Sequence, residues 1–149
     1  MIKIQIPATS ANLGAGFDAL GLALTYYNYI EMEEHDTIDI TAADGLDIPT
    51  DEKNLIYISA KDLFAVCGKK LEGLKLIQTS NIPMARGLGS SSACIIAGLV
   101  GANKMLGDPL TKDDLVDLAA QIEGHPDNTA PALLGGIVTA VFDGRKVHW

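Results

Sequence analysis

The sequence predicts an α+β fold, with a largely antiparallel sheet and helices packed on one face, and three observations carry that reading. Strand-like alternation dominates the first part of the chain, helix-like periodicity dominates the later part, and turn signals of hairpin type replace regular β-α-β alternation. At 149 residues, 48% hydrophobic and 20% charged, the composition is that of one globular domain with a single core.

Ile2, Ile4 and Ile6 alternate with Lys3 and Gln5, giving a half-buried strand that Pro7 should end. The stretch that follows, ATSANLGAGFDALG (8–21), is dense in small residues. Gly14, Gly16 and Ala19 in it fit a loosened dinucleotide-binding pattern. That match is discounted, because loop residues separate it from the strand and Leu20 to Ile30 reads as a second strand instead of a crossover helix. Tyr26, Tyr27 and Tyr29 belong to this second strand as packing and edge residues. Thr37 to Thr41 alternates again, and Asp44 to Glu52 is an acidic surface connection.

From Asn54 to Val66, Leu55, Ile58, Leu63 and Phe64 fit one face of a helix closed by Gly68. Leu74 to Ser80 is a strand leading into PMARGLGSSSACIIA (83–97). There Ser90, Ser91 and Ser92 should supply hydroxyls and an N-cap for a buried helix over Ala93 to Ala102. After the turn at Gly107, Asp108 and Pro109, Thr111 and Asp114 form a capping-box pattern. Leu115, Leu118, Ala119 and Ile122 then share a helix face that Gly124 ends. His125 to Pro131 is polar and irregular, Gly135 and Gly136 make a turn, and Ile137 to Phe142 is a strand. Asp143 and Gly144 signal a hairpin into Arg145 to Trp149. A strand that stops just after its turn points to a larger protein, truncated.

The net charge of −8, with Arg86 and Arg145 the only arginines, leaves no basic stripe for nucleic acid. Cys67 and Cys94 lack metal-ligand spacing and read as small core residues in a reducing compartment. The N-terminus lacks signal-peptide character, and the longest apolar run, Ala93 to Ala102, is far below the roughly 20 residues of a membrane span. A cytoplasmic protein with no membrane partner is expected. The sequence leaves a homodimer open.

Three segments can carry chemistry. In Pro83 to Ala93, the glycines clear the approach path and the helix start offers unpaired N–H groups, which together suit phosphate. No Lys-Ser or Lys-Thr follows the last glycine, so this is not a Walker A loop. Charge would have to be offset by backbone amides, serine hydroxyls and a magnesium ion, for which Ser91 and one carboxylate would suffice. The second segment, EGHPDNTAP (123–131), places two carboxylates, an imidazole and an amide at a helix end beside apolar Ala132 to Leu134. The third is 8–21, whose polar members Asn12 and Asp18 are equally readable as turn formers.

Together these segments resemble the GHMP kinase superfamily and, within it, the homoserine kinases. The P-x-x-x-G-L-G-S-S-S-A signature stands at Pro83, Gly87, Leu88, Gly89, Ser90, Ser91, Ser92 and Ala93; ATSANLGAGFDALGLAL and EGHPDNTAPALLGG narrow the likeness. The resemblance implies a first domain of ribosomal-protein-S5-domain-2 type, with a ferredoxin-like second domain absent from this chain. It implies ATP-dependent phosphorylation of the L-homoserine hydroxyl, in threonine biosynthesis. By the same resemblance the loop from Pro83 through Met84, Ala85 and Arg86 to Ala93 wraps the ATP phosphates, and Asn54 lies near adenine. Ser91 and Glu123 hold Mg2+, with Asp117 the fallback carboxylate, and Asn12, Asp18, His125 and Asn128 surround the substrate. Several superfamily members carry an aspartate where Asn128 stands; an amide cannot accept a proton in that way, so positioning and electrostatics should dominate catalysis. The arginines for the substrate carboxylate would lie in the second domain. The alternatives are another GHMP kinase with a different alcohol acceptor, or a non-catalytic binding module of the same fold.

Overall fold

A computed structural model describes residues 1–43 and 45–149; Asp44, the first residue of the acidic connection, lies outside the described residues. The order is β1 (Ile2–Ala11), β2 (Leu20–His35), β3 (Asp39–Ala42), α1 (Leu55–Val66), β4 (Gly73–Thr79), α2 (Ser90–Met105), α3 (Lys112–Glu123), α4 (Thr129–Leu134), β5 (Ile137–Thr139), β6 (Val141–Phe142) and β7 (Val147–His148).

The main sheet runs β1-β2-β4-β3, with β5 also paired to β2; among the described residues only the β3–β4 pair is parallel. β2 is the spine. β1 flanks one of its edges throughout, while β4 pairs with Tyr29 to His35 and β5 with Leu20 to Leu22 on the other. Ile4, Ile6 and Ala8 of β1, Ile30 and Met32 of β2, and Leu74 and Leu76 of β4 point into the core, under α1 and α2. Lys3, Gln5 and Tyr29 face solvent. One-sided burial of this kind is what strand alternation demands of an antiparallel sheet. The expected α+β class with helices on one face is therefore the observed one.

Several boundaries differ from expectation for physical reasons. Pro7 does not end β1; on an edge strand its missing N–H is tolerated, and the ladder shifts register between Pro7 and Thr9. That shift breaks the alternation, so Ala8 and Thr9 are both fully buried. In α1 the buried face is Ile56, Tyr57, Ala60, Leu63 and Phe64, leaving Ile58 exposed. Gly98 of α2 permits the close α1–α2 approach, since a Cβ there would fall 2.4 Å from the Ile56 carbonyl oxygen. The segment read as irregular contains the short α4, with Pro131 in its first turn, where an amide hydrogen is dispensable. The strand expected over Ile137 to Phe142 divides: β5 joins the main sheet and β6 pairs with β7 around the Asp143–Gly144 turn. A second small core, Val116, Ala120, Ala130, Val138, Ala140 and Val147, seats α3, α4 and this hairpin. Among the described residues no helix is long and apolar enough to cross a membrane.

The expected capping box opens α3, with Thr111 accepting from the Asp114 N–H and the Asp114 carboxylate accepting from the Thr111 N–H. Hydrogen bonds from the Thr111 hydroxyl, then its backbone, hold the Asp114 carboxyl below its ordinary pKa. A depressed folded-state pKa adds stability above the unfolded aspartate range and loses it as pH falls through the folded value. Asp114→Asn should therefore lower the melting temperature at pH 7 and leave it nearly unchanged at pH 3; an equal drop at both pH values would contradict the assignment.

Candidate active site

The loop after β4 is fastened to the spine before it turns into α2. Asn28 of β2 accepts the Ile82 N–H at 2.8 Å, and Asn81 donates to the Tyr27 carbonyl at 3.0 Å. Leu88 then accepts the Thr9 N–H at 3.1 Å, so the loop rests on the shifted part of β1. Ala85, Gly87 and Gly89 all have positive φ, which coils the backbone tightly into the helix. The serines lie inside α2, which starts three residues earlier than the sequence implied, and none of them is the N-cap. Gly89 is the N-cap, at φ 66° and ψ 30°, with no side-chain capping bond and no acidic residue in the first turn. The amides of the first turn are thus left for a partner from outside.

This helix start borders an open cavity of about 300 Å3, lined by Asn54, Leu55, Gln78, Met84, Ala85, Ser90, Ser91 and Cys94 among others. Asn54, expected beside a base, commits its side chain to local structure. Its Oδ1 accepts the Ile56 and Tyr57 N–H groups and its Nδ2 donates to the Pro49 carbonyl, capping α1. Cys94 is free, and burial first, then the Glu123 carboxylate, pushes its thiol up to about 11, so it stays protonated near neutral pH.

Across the α2 start, Glu123 at the end of α3 accepts a 3.3 Å hydrogen bond from Ser92 through Oε1, while Oε2 is buried without a hydrogen-bond partner. An orphaned carboxylate oxygen beside a serine-rich helix start fits a cation bound with one or two protein ligands. No cluster of three or more His, Cys, Asp and Glu that could hold a metal occurs among the described residues. Asp117, the other carboxylate considered, is engaged elsewhere: its Oδ1 accepts the Val147 N–H at 2.7 Å.

The EGHPDNTAP segment folds onto the same end. Asp127, 2% exposed, hydrogen-bonds His125 Nδ1 and accepts the Asn128 N–H. Asn128 accepts a 2.8 Å hydrogen bond from Thr9 Oγ1. Gly21 makes this docking feasible, since a Cβ there would sit 1.8 Å from the Asp127 carbonyl oxygen. Asp18 and His125 share a second cavity of about 320 Å3 with Val141 and Phe142. Asn12 and Asp18 are both exposed, with φ of 57° and 56°, and Asn12 lines neither cavity. Neither cavity is lined by an arginine.

Residues 54–136 match the family described as the GHMP kinases N terminal domain. The chain belongs to this family. A homoserine kinase of Carboxydothermus hydrogenoformans is 49% identical across 100% of this chain and 50% of its own length. A Listeria monocytogenes structure assigned as a homoserine kinase superposes with a TM-score of 0.86 at 43% identity, over 98% of this chain and 52% of that one. The mevalonate kinase of Methanococcus jannaschii shares the fold alone, at 18% identity and a TM-score of 0.73, over 99% of this chain and 55% of that one. The chain spans about half the length of the curated relatives it matches.

In this GHMP kinase domain two buried residues that tie these segments together escaped the sequence reading. Asp127 stood in the polar segment without an assigned role, and its signal was its place between His125 and Asn128. Thr9 gave no signal, because its inward turn depends on the register shift in β1.

Proposed function

We propose that the chain binds ATP through the loop from Pro83 to Ala93 and, with a second domain such as its relatives' additional length would supply, transfers the γ-phosphoryl group to the hydroxyl of L-homoserine. The observation that supports this best is the uncapped start of α2 opening beside the half-satisfied Glu123 carboxylate. Backbone amides with the Ser90 and Ser91 hydroxyls would hold phosphate oxygens, the buried Ser92 hydroxyl being spent on Glu123, and Asn54 would form part of the wall near the base. Ser91 and Glu123 would hold Mg2+, which when bound neutralises phosphate charge. Asp18 and His125 would face the amino-acid substrate from their shared cavity, a carboxylate being the natural partner of its ammonium group. Asn128 would contact the reacting groups, with Asn12 at the substrate rim.

Homoserine is favoured over other alcohols by the 49% identity to a homoserine kinase. The fold shared with mevalonate kinase keeps a different small alcohol as the second reading. Comparing homoserine, mevalonate and galactose as acceptors for the protein separates the two; turnover of either alternative equal to that of homoserine would end the homoserine assignment. With no arginine in either cavity for the substrate carboxylate, the 149-residue chain alone should turn over far below the roughly 10 s−1 typical of enzymes. Turnover at that typical rate would show that the binding groups are already present.

A further inference from the structure

The sequence left Asn128 as an amide of undefined orientation, and its surroundings decide which end faces the site. Its backbone N–H donates to Asp127 Oδ1 at 3.1 Å, and its carbonyl accepts the Ala132 N–H at 3.1 Å, fixing the main chain at the start of α4. Its Oδ1 accepts the 2.8 Å hydrogen bond from Thr9 Oγ1 and lies 3.3 Å from the position a Cβ on Gly89 would take. Its Nδ2 makes no hydrogen bond among the described residues and is therefore left to donate to another partner, and Asn128 lies beside the Gly89 helix start while lining neither of the two cavities. Thr9 is 0% exposed, and its N–H is spent on the Leu88 carbonyl.

We propose that Thr9 is a positioning residue: its hydroxyl holds the Asn128 carboxamide with the NH2 end outward, while its backbone ties the glycine-serine loop to the same strand. This rests on the kinase reading for its consequence, though not for its geometry. A fixed donor beside the start of α2 can stabilise negative charge on a group bound there, and it offers no proton acceptor. Without the Thr9 hydroxyl the two carboxamide orientations become nearly equivalent, and in one of them an oxygen lone pair meets that negative charge. Thr9 thus sets loop position and amide polarity from one buried residue.

The first test needs no variant and no activity. In NMR spectra of the 149-residue chain, the Thr9 hydroxyl proton should exchange slowly enough to be seen. Strong NOEs from the Asn128 NH2 protons to the Thr9 methyl or the Gly89 α-protons would overturn the assignment. The second test compares Thr9→Val with Thr9→Ser in the phosphoryl-transfer assay. Thr9→Val should lower kcat about five- to tenfold with KM for ATP within about twofold, and Thr9→Ser should recover most of the loss. Equal losses in both variants, or a loss confined to KM, would reduce Thr9 to a packing residue and refute the proposal. If the unaltered chain, assayed together with the second domain proposed above, transfers no phosphoryl group to any acceptor, the kinase reading fails, and the NMR result then decides Thr9 alone.

Discussion

Replacing Gly89 with alanine should lower stability by about 2–5 kcal/mol and sharply weaken nucleotide binding, whereas Gly87→Ala should cost only about 1–2 kcal/mol. Both glycines have nearly the same left-handed backbone, φ 66° at Gly89 and φ 69° at Gly87. A non-glycine residue there costs about 1–2 kcal/mol at either position. The difference lies in their surroundings: a Cβ on Gly87 meets nothing within 4 Å, whereas on Gly89 it would fall 2.0 Å from Thr9 Oγ1 and 3.3 Å from Asn128 Oδ1. Thr9 cannot retreat, being fully buried and bonded to Asn128, so the loop must lift or the Thr9–Asn128 bond must break. Either response moves the first-turn amides of α2. Thermal unfolding of the two variants side by side is the measurement. At about 2–4 °C per kcal/mol for a domain of this size, the Gly89 variant should melt roughly 4–20 °C below the unaltered protein and the Gly87 variant roughly 2–8 °C below it. Equal melting temperatures for the two would mean that Gly89 serves the turn alone and that the close approach to Thr9 is unimportant.

That contrast also shows which parts of the site were legible in the sequence. Local chemistry was readable: Thr111 with Asp114, Asp143 with Gly144, and the alternation of Ile2, Ile4 and Ile6 all specify their own geometry within a few residues. The glycine-serine loop was readable as a helix entry, but the serines expected to cap it lie inside α2 and leave its start to Gly89, because which residue takes the left-handed turn is decided by the packing of the loop on β1. The meeting of Thr9, Gly89 and Asn128 was not readable. It joins positions 119 residues apart, through a register shift that inverts the facing of one strand residue. Alternation extrapolated from Ile6 would have sent Thr9 outward. Ile58 failed in the same manner, since apolar character alone does not reveal which side of α1 meets α2. Asn54 was placed near adenine by resemblance alone, and its capping bonds to Ile56 and Tyr57 show that the local helix start claims its side chain.

Glu123→Gln is expected to act in opposite directions on stability and on function. In the protein without magnesium, the carboxylate ends α3, where the helix carbonyls disfavour negative charge; one oxygen accepts from Ser92 and the other is buried with no partner. Glutamine keeps the shape and an acceptor for Ser92 and removes the half-compensated charge. The variant should therefore be about 1 kcal/mol more stable, melting roughly 2–4 °C higher. If the orphaned oxygen exists to meet a cation, the same change should abolish most of the additional stabilisation that magnesium with nucleotide gives the unaltered protein, a gain that follows ligand concentration over its dissociation constant. Asp117→Asn should behave otherwise, because that carboxylate already accepts the Val147 N–H. Its loss should loosen the β7 end and lower the melting temperature with and without magnesium alike. Should Asp117→Asn, and not Glu123→Gln, remove the magnesium-dependent gain, the metal carboxylate is Asp117. Should Glu123→Gln be destabilising without magnesium, the buried oxygen has no unmet need for a partner. A rise in apo stability coupled to a loss of magnesium response would identify Glu123 as a group kept unsatisfied in the fold for the ligand it awaits.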